Sequence, residues 1–241
     1  MSDALLPSYN LIRWLRSGAA ELRYVAVLEI VADSPHRFRA RAKPDAGARW
    51  RSHDCDLRSA VRREIAECLA PPGIAMEEFW VPGGGDNRAD LAVVDTKVRG
   101  FELKSASDSL ARLPSQVIAF GRVFDFMTLV ADSSHLHAAE TLVPGWWGIT
   151  EACAGQNAVT LRQFREPKRN PKVDRIARLM LLWHCDLVAV ASQLGLTRVE
   201  RMPKARLRAL LSNAVADAGA LDDMVAAALR SRPRAKASLA I

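Results

Sequence analysis

The pattern of hydrophobic and polar positions becomes regular at residue 56. Over residues 56–73, DLRSAVRREIAECLAPPG, the apolar positions recur at helical spacing and the segment ends in Pro-Pro-Gly. The apolar stripe consists of Leu57, Val61, Ile65 and Cys68. An aspartate at the start and a proline-glycine stop are typical helix boundaries, so we predict an amphipathic helix capped by Asp56.

A strand pair and two further strands are predicted after this helix. Residues 89–105, ADLAVVDTKVRGFELKS, form two short apolar runs around a polar turn at Thr96. The run at 112–124 indicates a helix with a proline near its first turn, where proline is tolerated. The runs at 126–131 and 145–150 favour strands. This succession predicts an α/β fold, with a mixed β-sheet core flanked by helices.

The rest of the chain divides into an extension, a core and a helical region. Residues 1–53 are an N-terminal extension with a basic loop, in which 21–33 has the periodicity of either a strand or a helix. The core is assigned to 54–164. The basic, proline-broken segment 165–174 is a candidate linker. Residues 165–241 form an α-helical C-terminal region that ends in a basic tail.

Within the C-terminal region, residues 186–207 allow two interpretations. Ala191 and Gly195 have the spacing found in helix-turn-helix motifs, which would supply a DNA-reading element. The alternative is ordinary helix packing, because helical bundles often produce such spacings.

The predicted hairpin brings charged residues together. If it turns about Thr96, facing residues have numbers that sum to 192, so Asp90 opposes Glu102 and Arg88 opposes Lys104. Because residues two apart share a face of a strand, these four side chains cluster. The other face carries Leu91, Val93, Phe101 and Leu103. A slip of one residue would destroy this separation, which supports the register.

Two facing carboxylates suggest a cation site. Asp90 and Glu102 repel each other by roughly 0.2–1 kcal/mol on an exposed sheet, and a divalent cation would reverse that effect. Oxygen ligands of this kind suit Mg²⁺ or Mn²⁺. Lys104 would then orient an attacking water or offset charge on a phosphorane-like transition state. The alternative is a solvated sheet face with alternating salt bridges.

Glu64 is an unusual residue on the predicted helix. It lies seven positions after Leu57 and therefore falls on the apolar stripe. A carboxylate there would be partly buried and would need a partner. A metal ion or Lys104 could provide it, and so could a salt bridge to a nearby arginine.

Composition narrows the functional classes. The net charge of +7 and the pI of about 9.6 suit an acidic partner such as nucleic acid, although a mildly basic surface without such a partner is the alternative. With 49% hydrophobic residues the chain is not globally disordered. The four cysteines are widely spaced, which disfavours a zinc knuckle and fits a reducing cytoplasm. We expect neither a signal peptide nor a membrane-spanning helix.

The ordered set of polar residues resembles a known superfamily. Glu64 on a first helix, Asp90 opening a strand, Glu102-Leu103-Lys104 in the next strand and Gln116 on the following helix resemble the PD-(D/E)XK nucleases. Residues 54–150 are also similar to a group of bacterial proteins within that superfamily. The resemblance implies a restriction-endonuclease-like fold. Ala89 departs from the pattern, because it precedes Asp90 where the superfamily name has proline.

The resemblance also implies a role for each residue. Asp90 and Glu102 would bind Mg²⁺ or Mn²⁺, and Lys104 would assist the nucleophilic water. Glu64 would support this metal or a second ion. Gln116 would line the site and help to hold the lysine or DNA.

Three functions remain open from the sequence. The first is a metal-dependent nuclease that hydrolyses phosphodiester bonds, with DNA as the expected substrate and RNA not excluded; Arg88 would contact a phosphate. The second is a non-catalytic DNA-binding or regulatory protein on a nuclease-like fold. The third is a protein–protein adaptor that docks through its C-terminal helices.

Overall fold

A computed structural model describes residues 53–83, 87–154 and 159–232. The expectations for the N-terminal extension up to residue 52 and for the basic tail from residue 233 lie outside these ranges. The helices are α1 Asp54–Cys68, α2 Leu113–Phe120, α3 Leu136–Leu142, α4 Arg175–Met180, α5 His184–Gln193, α6 Lys204–Ala214 and α7 Ala218–Arg230. The strands are β1 Ile74–Trp80, β2 Arg88–Val94, β3 Val98–Lys104, β4 Phe126–Asp132, β5 Gly148–Ala154 and β6 Val159–Arg165.

The six strands form one mixed sheet in chain order. The pairs β1–β2 and β2–β3 are antiparallel, the pairs β3–β4 and β4–β5 are parallel, and β6 is antiparallel to β5. Helix α2 makes the crossover between the parallel strands β3 and β4. The predicted fold class, a mixed sheet flanked by helices with a helical C-terminal region, is confirmed.

The predicted register of the β2–β3 hairpin is also confirmed. Leu91 pairs with Phe101 and Val94 pairs with Val98, so facing residue numbers sum to 192. The predicted apolar face of the hairpin packs in a core cluster with the stripe of α1. The separation of the two faces therefore fixes the pairing, because a slip of one residue would move every side chain to the other face.

A second and larger core lies on the opposite face of the sheet. It joins residues of the strands and α2 to the four C-terminal helices; Phe120, Leu129, Leu179, Leu207 and Leu229 all belong to it. The C-terminal helices therefore complete the hydrophobic core of the sheet instead of forming a separate unit.

The segment 165–174 is anchored on this core and is not a linker. Asn170 is buried, and its side-chain Nδ2 donates to the carbonyls of Gly121 and Phe124 at 2.7 and 2.8 Å. The main-chain amide of Lys168 donates to the Trp146 carbonyl. Charged residues and prolines therefore do not exclude a segment that is held against the core by hydrogen bonds.

The helix boundaries bear on two of the predictions. Helix α1 begins at Asp54 after the cap residue His53, and the Asp56 side chain accepts the His53 amide in a capping box. Of the two interpretations of residues 186–207, ordinary helix packing fits the structure, because α5 ends at Gln193 and the next helix starts only at Lys204. Among the described residues, no helix combines the length and the apolarity needed to cross a membrane.

Candidate active site

The predicted site lies where the β2–β3 ladder ends. Pairing of the two strands extends to Leu91 and Phe101. Just beyond, Asp90 Oδ2 accepts the main-chain amide of Leu103 at 2.7 Å. If the ladder continued, a main-chain carbonyl of β2 would accept this amide hydrogen bond. Here the Asp90 carboxylate accepts it instead.

This ending of the ladder corrects two predicted pairs. Asp90 and Glu102 are not a ladder pair, although they remain close neighbours. Arg88 does not oppose Lys104; it pairs with Trp80 of β1 and its side chain is exposed. The prediction extended the register beyond the point at which a side chain replaces the backbone as hydrogen-bond partner.

Arg58 is a site residue that the sequence analysis missed. It extends from α1 and its Nη2 lies 3.0 Å from Asp90 Oδ1, while its Nη1 donates to the Asp90 carbonyl at 3.1 Å. The same guanidinium lies 3.1 Å from Glu78 Oε1 and 3.3 Å from Asp54 Oδ2. Asp54 stands four residues before Arg58, a spacing typical of helix ion pairs, but the contact with Asp90 has no local sequence signal.

Glu102, Lys104 and Gln116 form a compact buried group. Glu102 Oε1 accepts hydrogen bonds from Lys104 Nζ at 2.5 Å and from Gln116 Nε2 at 2.6 Å. All three residues are buried. Alternation along β3 places the acid and the lysine on one face, and Gln116 reaches them from α2. The structure thus brings together Asp90, Glu102, Lys104 and Gln116, as predicted.

Burial raises the pKa of the two carboxylates of the site, Glu102 and Asp90. Burial, and then the charge of Asp90, raises the pKa of Glu102 to about 7, against the opposing effects of Lys104 and Gln116. Burial likewise raises the pKa of Asp90, whereas the Leu103 amide and Arg58 lower it. The neighbouring cations and hydrogen bonds therefore do not fully offset the cost of ionising Asp90 and Glu102.

The oxygen atoms of the site fit a hard divalent cation. Within the described residues, Glu102 Oε2 and Gln116 Oε1 are buried and accept no hydrogen bond. Mg²⁺ commonly uses one or two carboxylates and keeps several waters. The described part of the chain contains no group of three or more histidine, cysteine, aspartate or glutamate side chains arranged to hold a metal. The unpartnered oxygen donors that face a cation here would therefore be one carboxylate oxygen of Glu102 and the amide oxygen of Gln116, with Asp90 beside them.

Glu64 is buried on the apolar stripe of α1, as its position predicts. Its Oε2 atom has no hydrogen-bond partner in the described residues. Burial, then the neighbouring charge of Glu67, raises its pKa to about 7, against the opposing effect of Arg63. No ion pair or hydrogen bond joins Glu64 to Asp90, Glu102 or Lys104 among the described residues. Its metal-supporting role stays a prediction.

The raised pKa of Glu64 predicts how its substitution changes stability with pH. Because the folded protein holds the proton more tightly than the unfolded chain, this residue stabilises at low pH, and the effect is lost as pH rises from about 4.5 to 7. We expect Glu64→Gln to raise the free energy of unfolding at pH 8 by roughly 1–3 kcal/mol, with little change at pH 4.5. Urea unfolding at both pH values measures this.

The exposed Glu67→Gln on the same helix provides the matched control and should change stability by less than about 0.5 kcal/mol. A Glu64→Gln protein less stable than wild type at pH 8 would contradict the prediction that the ionised Glu64 destabilises the fold.

The turn after β3 holds the end of the site in place. Asp108 Oδ2 accepts both the amide and the hydroxyl of Ser105 at 2.7 Å. Ser105 is buried and follows Lys104 directly. This turn therefore fixes the backbone at the lysine.

Comparisons with known proteins place the chain in a family. Residues 71–238 match the family described as Bacteriophage P4 protein cII, a segment that includes Asp90, Glu102, Lys104 and Gln116 but begins after Arg58 and Glu64. Protein cII of Enterobacteria phage P4 is 26% identical over 125 residues, which are 52% of this chain and 47% of that protein. The alignment thus spans about half the length of this curated relative.

A solved structure is also similar in part. A protein of unknown function from Silicibacter pomeroyi, SPO1766, aligns with 18% identity and a TM-score of 0.38, covering 58% of this chain and 90% of that chain. The family match, in contrast, covers more than half of the chain and extends from β1 through α7. The chain therefore belongs to the Bacteriophage P4 protein cII family.

Proposed function

We propose that this protein is a metal-dependent nuclease that hydrolyses phosphodiester bonds in DNA. The observation that carries the proposal is the buried Glu102 with the half-buried Asp90 and with Lys104 beside it. Both carboxylates have raised pKa values, and Glu102 Oε2 and Gln116 Oε1 are available to a ligand. Perturbed acids of this kind are concentrated at functional sites.

The metal-binding residues in this proposal are Asp90 and Glu102, with the Gln116 amide oxygen beside them. Mg²⁺ or Mn²⁺, when bound, supplies positive charge for the phosphate and acidifies water. The two carboxylates supply the negative charge that selects a cation at this place. Gln116 holds Glu102 in position through its 2.6 Å hydrogen bond.

Lys104 is the residue proposed to act on the reacting groups. Its Nζ lies 2.5 Å from Glu102 and its side chain is mostly buried, so its position is tightly restricted. A fixed ammonium group stabilises the negative charge that develops on a phosphate during in-line attack, and it donates a hydrogen bond that orients the attacking water.

The resemblance to the PD-(D/E)XK nucleases supports the same reading. The four residues lie on the elements that the resemblance implies, with the acid on β2, the acid and lysine on β3 and the glutamine on α2. The proposal also includes a cytoplasmic location, because the four cysteines are widely spaced in the sequence.

A non-catalytic DNA-binding protein is the second candidate, and one observation favours it. Both carboxylate oxygens of Asp90 already accept hydrogen bonds, from Arg58 and from the Leu103 amide. An acid satisfied in this way stabilises the fold without any metal. Calorimetric titration with Mn²⁺ separates the candidates, because only the nuclease requires binding that Glu102→Gln abolishes.

Cleavage of plasmid DNA with Mg²⁺ or Mn²⁺ tests the proposed activity. We expect wild type to cleave, and Asp90→Ala and Lys104→Ala each to lower the rate by about 100-fold or more, as removal of one charge-stabilising group does in other enzymes. Asp90→Asn keeps an oxygen acceptor for Leu103 and separates loss of activity from loss of folding. Lys97→Ala, in the hairpin turn, is the control. Equal cleavage by all of these proteins would exclude the proposal.

A further inference from the structure

Helix α6 presents an unusual surface to solvent. Its residues Leu207 and Leu211 are buried in the large core, against the neighbouring C-terminal helices. At 100° per residue, Ala205, Ala209 and Asn213 lie on the opposite side, and all three are exposed. The centre of the exposed face therefore carries only small or polar side chains.

Cations stand on both flanks of this face. Arg206 lies about 60° to one side of the centre of this face, and the half-buried Arg208 lies about 100° to the other side. Lys204 lies about 140° from the centre, in the first turn of the helix. Arg198 and Arg201 are exposed in the connection that precedes the helix. Within the described residues, none of these five side chains forms a salt bridge with a carboxylate.

These cations do not serve the stability of the helix. The first turn of α6 holds Lys204 and Arg206, contains no acidic residue and receives no side-chain cap. Positive charge at a helix N-terminus is unfavourable, by roughly 0.3–1 kcal/mol for each exposed group. The stability of the helix therefore does not account for Lys204 and Arg206.

The connection that bears the two arginines is held firmly. Val199 is buried, and the ring Nε2 of His184 forms a 3.0 Å hydrogen bond with the Met202 carbonyl. Arg175 donates to the carbonyls of Ser212, Val215 and Ala216 at the other end of α6. The exposed face is thus presented on a fixed scaffold.

We propose that α6 enters the major groove of duplex DNA, with Ala205, Ala209 and Asn213 against the bases and the flanking cations on the phosphates of the two strands. The major groove is about 12 Å wide and admits an α-helix. A narrow centre of small side chains permits close approach, and cations on both flanks match the two rows of phosphates. This surface is distinct from the site at Asp90, and its binding to DNA requires no catalysis.

The chemistry of the face favours duplex DNA over other polyanions. A membrane-binding helix needs large apolar residues on the face that enters the lipid, and the exposed face of α6 has none. Duplex RNA has a deep and narrow major groove that side chains do not read. The length of α6, eleven residues, suits insertion of one helix into a single groove.

Anisotropy titration of a labelled 24-base-pair duplex in EDTA tests the cations without any cleavage. We expect the triple variant Arg201→Ala, Lys204→Ala, Arg206→Ala to bind at least about 10-fold more weakly and to lower the slope of log affinity against log salt by about 2 to 3. The control triple, Lys168→Ala, Arg169→Ala, Lys172→Ala, removes the same charge from exposed positions elsewhere. Equal losses in both triples would overturn the proposal.

A bulky neutral substitution tests insertion of the helix itself. Ala209→Phe leaves every charge in place but blocks close approach, so we expect at least about fivefold weaker duplex binding. Ala227→Phe, also exposed but on α7, should bind as wild type does. Unchanged binding by Ala209→Phe would overturn groove insertion, as would stronger binding to duplex RNA or to anionic vesicles of phosphatidylserine and phosphatidylcholine. Asp90→Asn should retain duplex binding, so a failed cleavage assay leaves this test intact.

Discussion

Replacing Arg178 by alanine is expected to lower the free energy of unfolding by about 3–5 kcal/mol. Arg178 and Asp125 are both fully buried and form an ion pair with contacts of 3.0 and 3.1 Å. Asp125 also accepts the Val98 amide at 2.8 Å, at the start of β3. Loss of the guanidinium leaves a buried carboxylate without its partner, which is the costly outcome for such a pair. Chemical denaturation followed by circular dichroism measures the effect.

Arg122 provides the matched control for this experiment. It pairs with Asp174 at 2.8 Å, but both side chains are about 40% exposed. An exposed pair contributes about 0–1 kcal/mol, so Arg122→Ala should change stability little. The double variant Arg178→Met, Asp125→Leu should recover part of the loss, because it removes both charges. Equal costs for Arg178→Ala and Arg122→Ala would contradict the prediction that burial makes loss of the Arg178 guanidinium costly.

Replacing Lys104 by methionine is expected to produce a pH-dependent loss of stability. Lys104 lowers the pKa of Glu102 and of Asp90, so its removal raises both further. Raised carboxylate pKa values leave stability intact at low pH and remove it as pH rises, here from about 4.5 through the folded pKa of Glu102 near 7 and beyond. We expect a loss of about 3 kcal/mol at pH 8 and less than about 1 kcal/mol at pH 4.5, measured by urea unfolding.

Lys97→Met is the control, since the half-buried Lys97 lies in the turn of the same hairpin and pairs at 3.4 Å with the exposed Asp223. It should show no comparable dependence on pH. A Lys104→Met protein that loses equal stability at both pH values would indicate lost packing instead of lost charge compensation. Added Mn²⁺ should restore stability at pH 8 if the proposed cation binds.

The features that the sequence predicted are those with local, periodic signals. The stripe of α1 follows from helical spacing, and the two faces of the β2–β3 hairpin follow from alternation. The alternation placed Asp90, Glu102 and Lys104 on one face of the hairpin. Strand β6 had the same alternation and was overlooked. Strand β1 was not detectable in this way, because Glu77 pairs with Arg62 of α1 and Glu78 adopts a left-handed conformation with φ of 48°.

The features that it did not predict depend on contacts between distant segments. Arg58 reaches Asp90 across 32 positions of the chain, and Asn170 reaches Gly121 across 49. Nothing in the residues around Arg58 or Asn170 specifies these partners. The same reason explains the mistaken linker, because charge and proline describe a segment's solubility and backbone restriction but not what it packs against.

The hydrogen bond from the Leu103 amide gives the Asp90 carboxylate a structural role in addition to its proposed role in binding a cation. The carboxylate that is proposed to bind a cation also closes the gap where the two strands part. Under the proposed function, a replacement at this position must keep both an acceptor for the strand and a charge for the cation. A relative that has abandoned the chemistry could still keep asparagine here for the sake of folding. A relative with any hydrogen-bond acceptor at this position would then have kept the strand pairing, and a relative with an acid here would also have kept the charge that the proposed activity needs.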